Sequence, residues 1–410
     1  MVLPTFRVGV RLLFEWDPGT DPGKFKTLVT YSSRGCLSPG VGVCRPPLEG
    51  WGCFFYFPLF FFFFFLFICN FKMTAGVTLP PYPLHESVKD LLDPEYVSFY
   101  NQHVINNQQV HLQPVEASRT SGVLIPGAGP MLEVGKTEDI TVQRRATEGP
   151  DVPIRCFTPK GEVPPGGWPV MLYFHGGGWV LGNIDTENVV CSNLCVRGNC
   201  VVITVDYRLA PENRWPAAVH DCWEALLWLI SDGPAALSVD VSKIATGGSS
   251  AGGNLAAIMT HKALTLSPPV HFRAQLLSVP VTDNTATVEN NESYRRYERT
   301  PALPALKMYW YRDHYVPNEA DRTNPESSPL LWQGDYSQLP PALVMVGELD
   351  VLRTEGEQYA EKLQEAGVAV DLQVMKGMPH PFLAMDGALS EGKRCITLMC
   401  DMLQKALWAD

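Results

Sequence analysis

The chain has 410 residues, 46% of them hydrophobic and 18% charged, which is a globular composition and excludes a disordered chain. Its 35 Pro and 34 Gly follow no three-residue period, so a collagen-like fibre is excluded. The net charge of −11 comes without any Lys/Arg-rich run, which argues against nucleic acid as a partner.

Phe is concentrated early: 11 of the 19 lie between Phe54 and Phe71, and Phe60 to Phe65 are consecutive. The apolar run Cys53–Cys69 has 17 residues, the lower limit of a spanning helix at about 17–25 residues. Pro58 interrupts it, and it starts too deep for an ordinary secretory signal. One reading is a signal-anchor helix. A second treats residues 1–72 as an extension outside the working protein, the translation of a pyrimidine-rich tract, with Met73 as the natural start. A third is a segment buried by a partner. The expectation is the second, with a cytoplasmic enzyme; under the first, residues 53–69 anchor it to a membrane. The 11 Cys form no CxxC pair. Free thiols in a reducing compartment are expected, with no zinc site, no disulfide scaffold and no other metal.

From Met73 the pattern changes. Leu84, Val88, Leu91 and Leu92 recur at helical spacing, and Asp93-Pro94 ends that helix and starts another through about Ile105. Residues 119–135 form a Gly/Pro loop. Asp139–Arg145 and Val152–Thr158 alternate as paired strands. A regular rhythm then begins: strand Val170–Phe174, strand Val201–Asp206, a helix to Ile230, strand Lys243–Thr246, a helix to Leu264, and strand Gln275–Val281. Strand Ala342–Val346, a helix over Glu355–Gly367, strand Ala369–Met375 and a last helix over Arg394–Leu407 follow. Strands alternating with helices predict an α/β fold with a mostly parallel sheet covered on both faces. Between two of these strands lies an aromatic-rich insertion, about residues 290–318, readable as ordinary helix packing or as part of a lid.

Three stretches carry chemistry. Gly248-Ser249-Ser250-Ala251-Gly252 is a GxSxG pattern between a strand and a helix, the setting of a nucleophile elbow. Small residues are needed on both sides of so tight a turn, and the helix start offers the N–H of Ala251. Ser250 is the expected nucleophile. Ser249 is a rival, but its spacing to glycine fits less well. His175-Gly176-Gly177-Gly178-Trp179 follows a strand, and its glycines let backbone N–H groups converge on an oxyanion. The bland alternatives are a phosphate loop or a flexible turn, and His175 is expected to orient the loop. Asp350 and His380 follow two later strands at the carboxyl ends where α/β sites lie. The order Ser250, Asp350, His380 fits nucleophile, acid and base. Glu348 and Asp371 are rival acids.

These stretches, with Asp206-Tyr207-Arg208-Leu209-Ala210-Pro211-Glu212 and Asp350-Val351-Leu352-Arg353, resemble the hormone-sensitive-lipase-like (type IV) esterases of the α/β-hydrolase fold, a group that includes arylacetamide deacetylase-type enzymes. The resemblance runs from about residue 84 to the C-terminus. It implies the triad Ser250, Asp350 and His380, oxyanion donors at Gly177, Gly178 and Ala251, and a cap of N-terminal helices (residues 73–135) with the insertion over the catalytic region (136–410). Two departures stand out: Ser249 where Asp or Thr is common, and Pro381 where Gly is common. The implied activity is a cofactor-free serine carboxylesterase for small esters of short to medium acyl chains. An amidase or deacetylase on N-acyl aromatic substrates uses the same triad. A non-catalytic small-molecule binder would typically have lost the serine or histidine. A second copy of the chain is left open as a partner.

Overall fold

Parallel sheets bury both faces, so their strands read as continuous apolar runs. The computed structural model describes residues 9–15, 26–32, 81–120 and 126–408. The chain divides into two units, Met1–Gly76 and Val77–Asp410. In the first, β1 (Gly9–Glu15) and β2 (Lys26–Ser32) pair antiparallel. The Phe-rich run 53–69 and Met73 lie outside the described residues. Among the described residues no helix is long and apolar enough to cross a membrane.

The second unit holds an eight-stranded sheet. Its strands are β3 (Lys136–Val142), β4 (Val152–Thr158), β5 (Trp168–Phe174), β6 (Val201–Val205), β7 (Val239–Ser249), β8 (Ala274–Ser278), β9 (Ala342–Gly347) and β10 (Val370–Met375). They lie in the order β10-β9-β8-β7-β5-β6-β4-β3. All neighbours from β10 to β6 run parallel, while β4 is antiparallel to both β6 and β3. Every residue of β5, β6, β8 and β9 is buried. Successive side chains point to opposite faces, so both faces are covered.

The covering helices are α3 (Asn188–Gly198), α4 (Ala217–Ser231), α6 (Ala251–Ala263), α9 (Arg353–Glu365) and α10 (Ser390–Trp408). Helix α3 packs on α10, and α4 packs on α6. The others are α1 (Pro94–His103), α2 (Val115–Thr120), the short α5 (Gly233–Leu237), α7 (Glu292–Arg296) and α8 (Ala305–Tyr315). Helix α1 starts where the sequence says it should. Pro94 takes the first turn, and the Asp93 carboxylate accepts the N–H of Glu95 at 2.7 Å.

The helix expected over Leu84–Leu92 is a run of turns instead. Pro83 and Pro94 bracket the segment, and the residue before each proline is disfavoured in helical geometry. The apolar positions are also not one stripe, because Val88 is buried while Leu91 is 54% exposed. Strand β8 stops at Ser278, short of the expected Val281. Val279 adopts φ 42°, and the N–H of Val281 turns to the carbonyl of Ser250.

β5 is the switch point of this sheet. The chain leaves it first for β6 on one side and then for β7 on the other. Such a reversal opens a crevice beyond the carboxyl ends of the two central strands. The loop after β5 begins at His175, and the turn after β7 is Ser250.

Candidate active site

β7 ends at Ser249 and α6 begins at Ala251, so one residue makes the whole turn. Ser250 has φ 56° and ψ −115°. A non-glycine residue there is strained by about 1–3 kcal/mol, and its surroundings must hold it. The Ser250 N–H donates to the Ser278 carbonyl at 2.8 Å. Its carbonyl accepts from Asn254 at 3.0 Å and Val281 at 3.3 Å. The flanking glycines are required by space. A Cβ on Gly252 would lie 1.9 Å from the Phe174 carbonyl oxygen, and one on Gly248 would lie 2.5 Å from the Gly252 backbone. As the first residue of α6, Ala251 has an N–H with no partner inside the helix.

The loop after β5 lies beside this turn. Gly177 and Gly178 adopt φ 126° and 61°. A Cβ on Gly177 would meet the Leu181 carbonyl oxygen at 2.1 Å, and one on Gly178 the Tyr311 ring at 2.3 Å. Neither glycine donates its N–H to a described residue. The segment 206–212 braces the loop from behind. The Tyr207 ring stacks on His175 with centroids 4.3 Å apart, and its hydroxyl donates to the His175 carbonyl at 2.8 Å. The N–H of Ala210 donates to the Trp179 carbonyl at 2.9 Å. Burial pushes the His175 ring down to about 4, so it is neutral at physiological pH and orients the loop.

Asp350 lies just beyond β9, and His380 beyond β10. The His380 Nδ1 is 2.9 Å from Asp350 Oδ2, and the other carboxylate oxygen accepts the Leu352 N–H at 3.0 Å. Both residues are buried, Asp350 to 1% exposure. The rival acids go elsewhere. Glu348 accepts the Gly377 N–H at 2.9 Å and pairs with Lys376 at 3.0 Å. Asp371 is exposed and accepts from Gln373. The rival serine, Ser249, is the last residue of β7 and is 1% exposed.

Ser250, His380, Gly177 and Gly178 line one cavity of about 460 Å³. Ser250 Oγ makes no hydrogen bond to a described residue. In unliganded sites such nucleophile–base bonds are often long and tighten when substrate binds. The far wall comes from α1 and the loop after it, with Leu303, Lys307 and Tyr311 of the insertion.

One acid that lines the cavity has no motif to announce it. Glu187 is buried at φ 63°, just before α3. Its Oε2 accepts the Tyr173 hydroxyl at 2.8 Å and the Gly176 N–H at 3.3 Å. It thereby ties the glycine loop to β5. Burial pushes its carboxyl up to about 7, against the pull of those donors. Lys307 and Tyr311 were legible only as part of an aromatic-rich insertion. The described cysteines, among them Cys156, Cys191 and Cys222, are free and buried.

The sequence profile of the α/β-hydrolase fold family matches residues 171–384. An AB hydrolase superfamily protein of Schizosaccharomyces pombe is 48% identical over 329 residues, covering 78% of this chain and 96% of its own length. An ethyl acetate hydrolase of Pseudomonas putida is 33% identical, covering 72% of this chain and 97% of its own. A thermophilic carboxylesterase cloned from a metagenomic library superposes with a TM-score of 0.66 at 32% identity, over 73% of this chain and 99% of its own. The chain therefore belongs to the α/β-hydrolase fold family, among its hormone-sensitive-lipase-like esterases, and is a hydrolase.

Proposed function

We propose that the protein is a serine carboxylesterase acting on small esters of short to medium acyl chains. The observation that carries this is the Asp350–His380 pair, 2.9 Å apart, facing the cavity that holds Ser250 on its strained turn. His380 Nε2 takes the proton as Ser250 Oγ attacks the ester carbonyl. Asp350 holds the ring in the tautomer with the proton on Nδ1 and stabilises its charged form. The tetrahedral oxyanion sits against the N–H groups of Gly177, Gly178 and Ala251, each worth about 3–4 kcal/mol by analogy with measured oxyanion donors. The C–O bond to the alcohol then breaks, and His380 returns its proton to the departing oxygen. The acyl group stays on Ser250. Water, deprotonated by His380, attacks this acyl-enzyme and releases the acid, regenerating the serine. No step calls for a cofactor or metal.

Support for short chains comes from the cavity's limited volume, about 460 Å³, walled by aromatic and apolar side chains together with several amides. A panel of para-nitrophenyl esters of rising chain length, beside aryl acetamides, tests the reading. The expected outcome is kcat/KM highest at or below about eight carbons, as a pocket of this volume class implies, with the amides much slower. Rates that climb steadily to palmitate and jump at a lipid–water interface would contradict it.

A further inference from the structure

We infer that the esters preferred by this site carry a carboxylate, and that Lys307 is the residue that holds it. The inference rests on the serine-esterase reading and adds a substrate class to it.

Lys307 lies in the first turn of α8 and lines the cavity. It is the one Lys or Arg among the described residues lining that cavity. Its ammonium donates to the Ala302 carbonyl at 2.7 Å and lies 5.8 Å from the Tyr311 ring centroid. Tyr311 in turn packs against Gly178 of the glycine loop. One aromatic ring thus separates the cation from the expected oxyanion donors. That is a short reach for a substrate whose reacting carbonyl sits at Gly178.

An ammonium has three donors, and among the described residues only one finds an acceptor. No described carboxylate forms an ion pair with it. The nearby His111 is pushed down to about 4 by burial and by Lys307 itself, so it carries no competing charge at neutral pH. Burial lowers Lys307 to about 8, the mark of a cation lacking a counter-ion. Glu187, an acid that also lines the cavity, is engaged by Tyr173 and Gly176. Lys307 is partly buried, and a cation so placed with no carboxylate partner among the described residues is costly unless something anionic arrives. Here the cavity leaves room for it. The side-chain amides of Asn106 and Gln109, on the loop after α1, also line the cavity and have no partner among the described residues, so they offer further donors.

The carboxylate can sit on the acyl or on the alcohol side of the ester. Two matched pairs separate these sources. On the acyl side, the para-nitrophenyl hemiester of glutaric acid is compared with para-nitrophenyl pentanoate. On the alcohol side, para-acetoxybenzoate is compared with para-acetoxybenzamide. In the native enzyme one charged ester is expected to exceed its neutral partner in kcat/KM by about 10-fold or more, the size of a charge-assisted hydrogen bond. Lys307→Met is expected to remove that ratio, and Lys307→Arg to keep part of it. As a check that needs no variant, free glutarate should inhibit hydrolysis of the neutral ester competitively, and glutaramide should not. A native enzyme that hydrolyses the neutral esters, shows no charged preference and is inhibited equally by glutarate and glutaramide overturns this inference alone. Hydrolysis of none of the four esters overturns the serine-esterase reading with it.

Discussion

Glu348 accepts the backbone N–H of Gly377 at 2.9 Å, on the turn that leads into His380. Two acids two positions apart in sequence therefore serve the same histidine differently. Asp350 binds the ring, and Glu348 pins the backbone that carries it. Gly377 adopts φ 67°, and a Cβ there would lie 2.7 Å from the Asp93 backbone nitrogen. The histidine turn is thus also fastened to the segment that starts α1.

This division of labour separates two substitutions. Asp350→Asn should leave KM close to its native value and lower kcat by about 10⁴, because the ring loses its acceptor and can take the wrong tautomer. Glu348→Gln should lower kcat by no more than about 10-fold, since one hydrogen bond to a backbone amide is lost or weakened. Steady-state kinetics on a short para-nitrophenyl ester reads both. If the larger loss fell on Glu348 or on Asp371→Asn, the acid would need reassigning.

Gly178 and Tyr311 form a second testable contact. A methyl group on Gly178 would sit 2.3 Å from the ring, at a φ of 61°. Gly178→Ala should displace the loop and lower kcat by about 10²–10³, the effect of losing one oxyanion donor. Adding Tyr311→Ala should recover part of that loss if the clash is the cause. The coupling in this double-mutant cycle is the readout; simple additivity would show that the ring does not set the loop.

The sheet and the candidate chemistry were legible because both rest on local patterns. Buried parallel strands are continuous apolar runs, and GxSxG and HGGG are short motifs whose glycines are demanded by neighbouring backbone. Asp350 and His380 could be read from their places after strands. Helix α3 could not. Its sequence NVVCSNLCVRG is rich in poor helix formers, and seven of its residues, polar ones included, are buried, so no amphipathic stripe shows. Glu187 was hidden for a different reason. Its partners Tyr173 and Gly176 lie on another element, and only the folded crossover brings them to it. Lys307 read as one residue in an aromatic-rich stretch until the cavity gave it a setting. The helix expected at Leu84–Leu92 failed because spacing alone does not ensure burial of every apolar position.

Glu187 makes stability depend on pH. The folded protein keeps the carboxyl proton up to about 7, whereas an exposed glutamic acid releases it near 4.5. The folded state therefore binds more protons between these values, and stability falls as pH rises through that window. The contribution is on the order of 1–3 kcal/mol. Glu355, also raised by burial, adds a change of the same sign. Glu187→Gln should flatten the dependence in part, leaving the share of Glu355. Urea unfolding of both proteins at pH 5 and pH 8 measures it; parallel curves would show that Glu187 is ionised in the fold throughout.

In the proposed reaction Ser250, not its neighbour Ser249, attacks the ester. The most direct test of this is labelling with a fluorophosphonate, which phosphonylates an activated serine, followed by mass mapping of the modified residue. The expected result is a single adduct on Ser250, absent in Ser250→Ala and retained in Ser249→Ala. Ser250→Ala should also lose on the order of 10⁴–10⁶ in kcat while unfolding like the native protein. An adduct on Ser249 with Ser250 spared, or substantial turnover by Ser250→Ala, would contradict it.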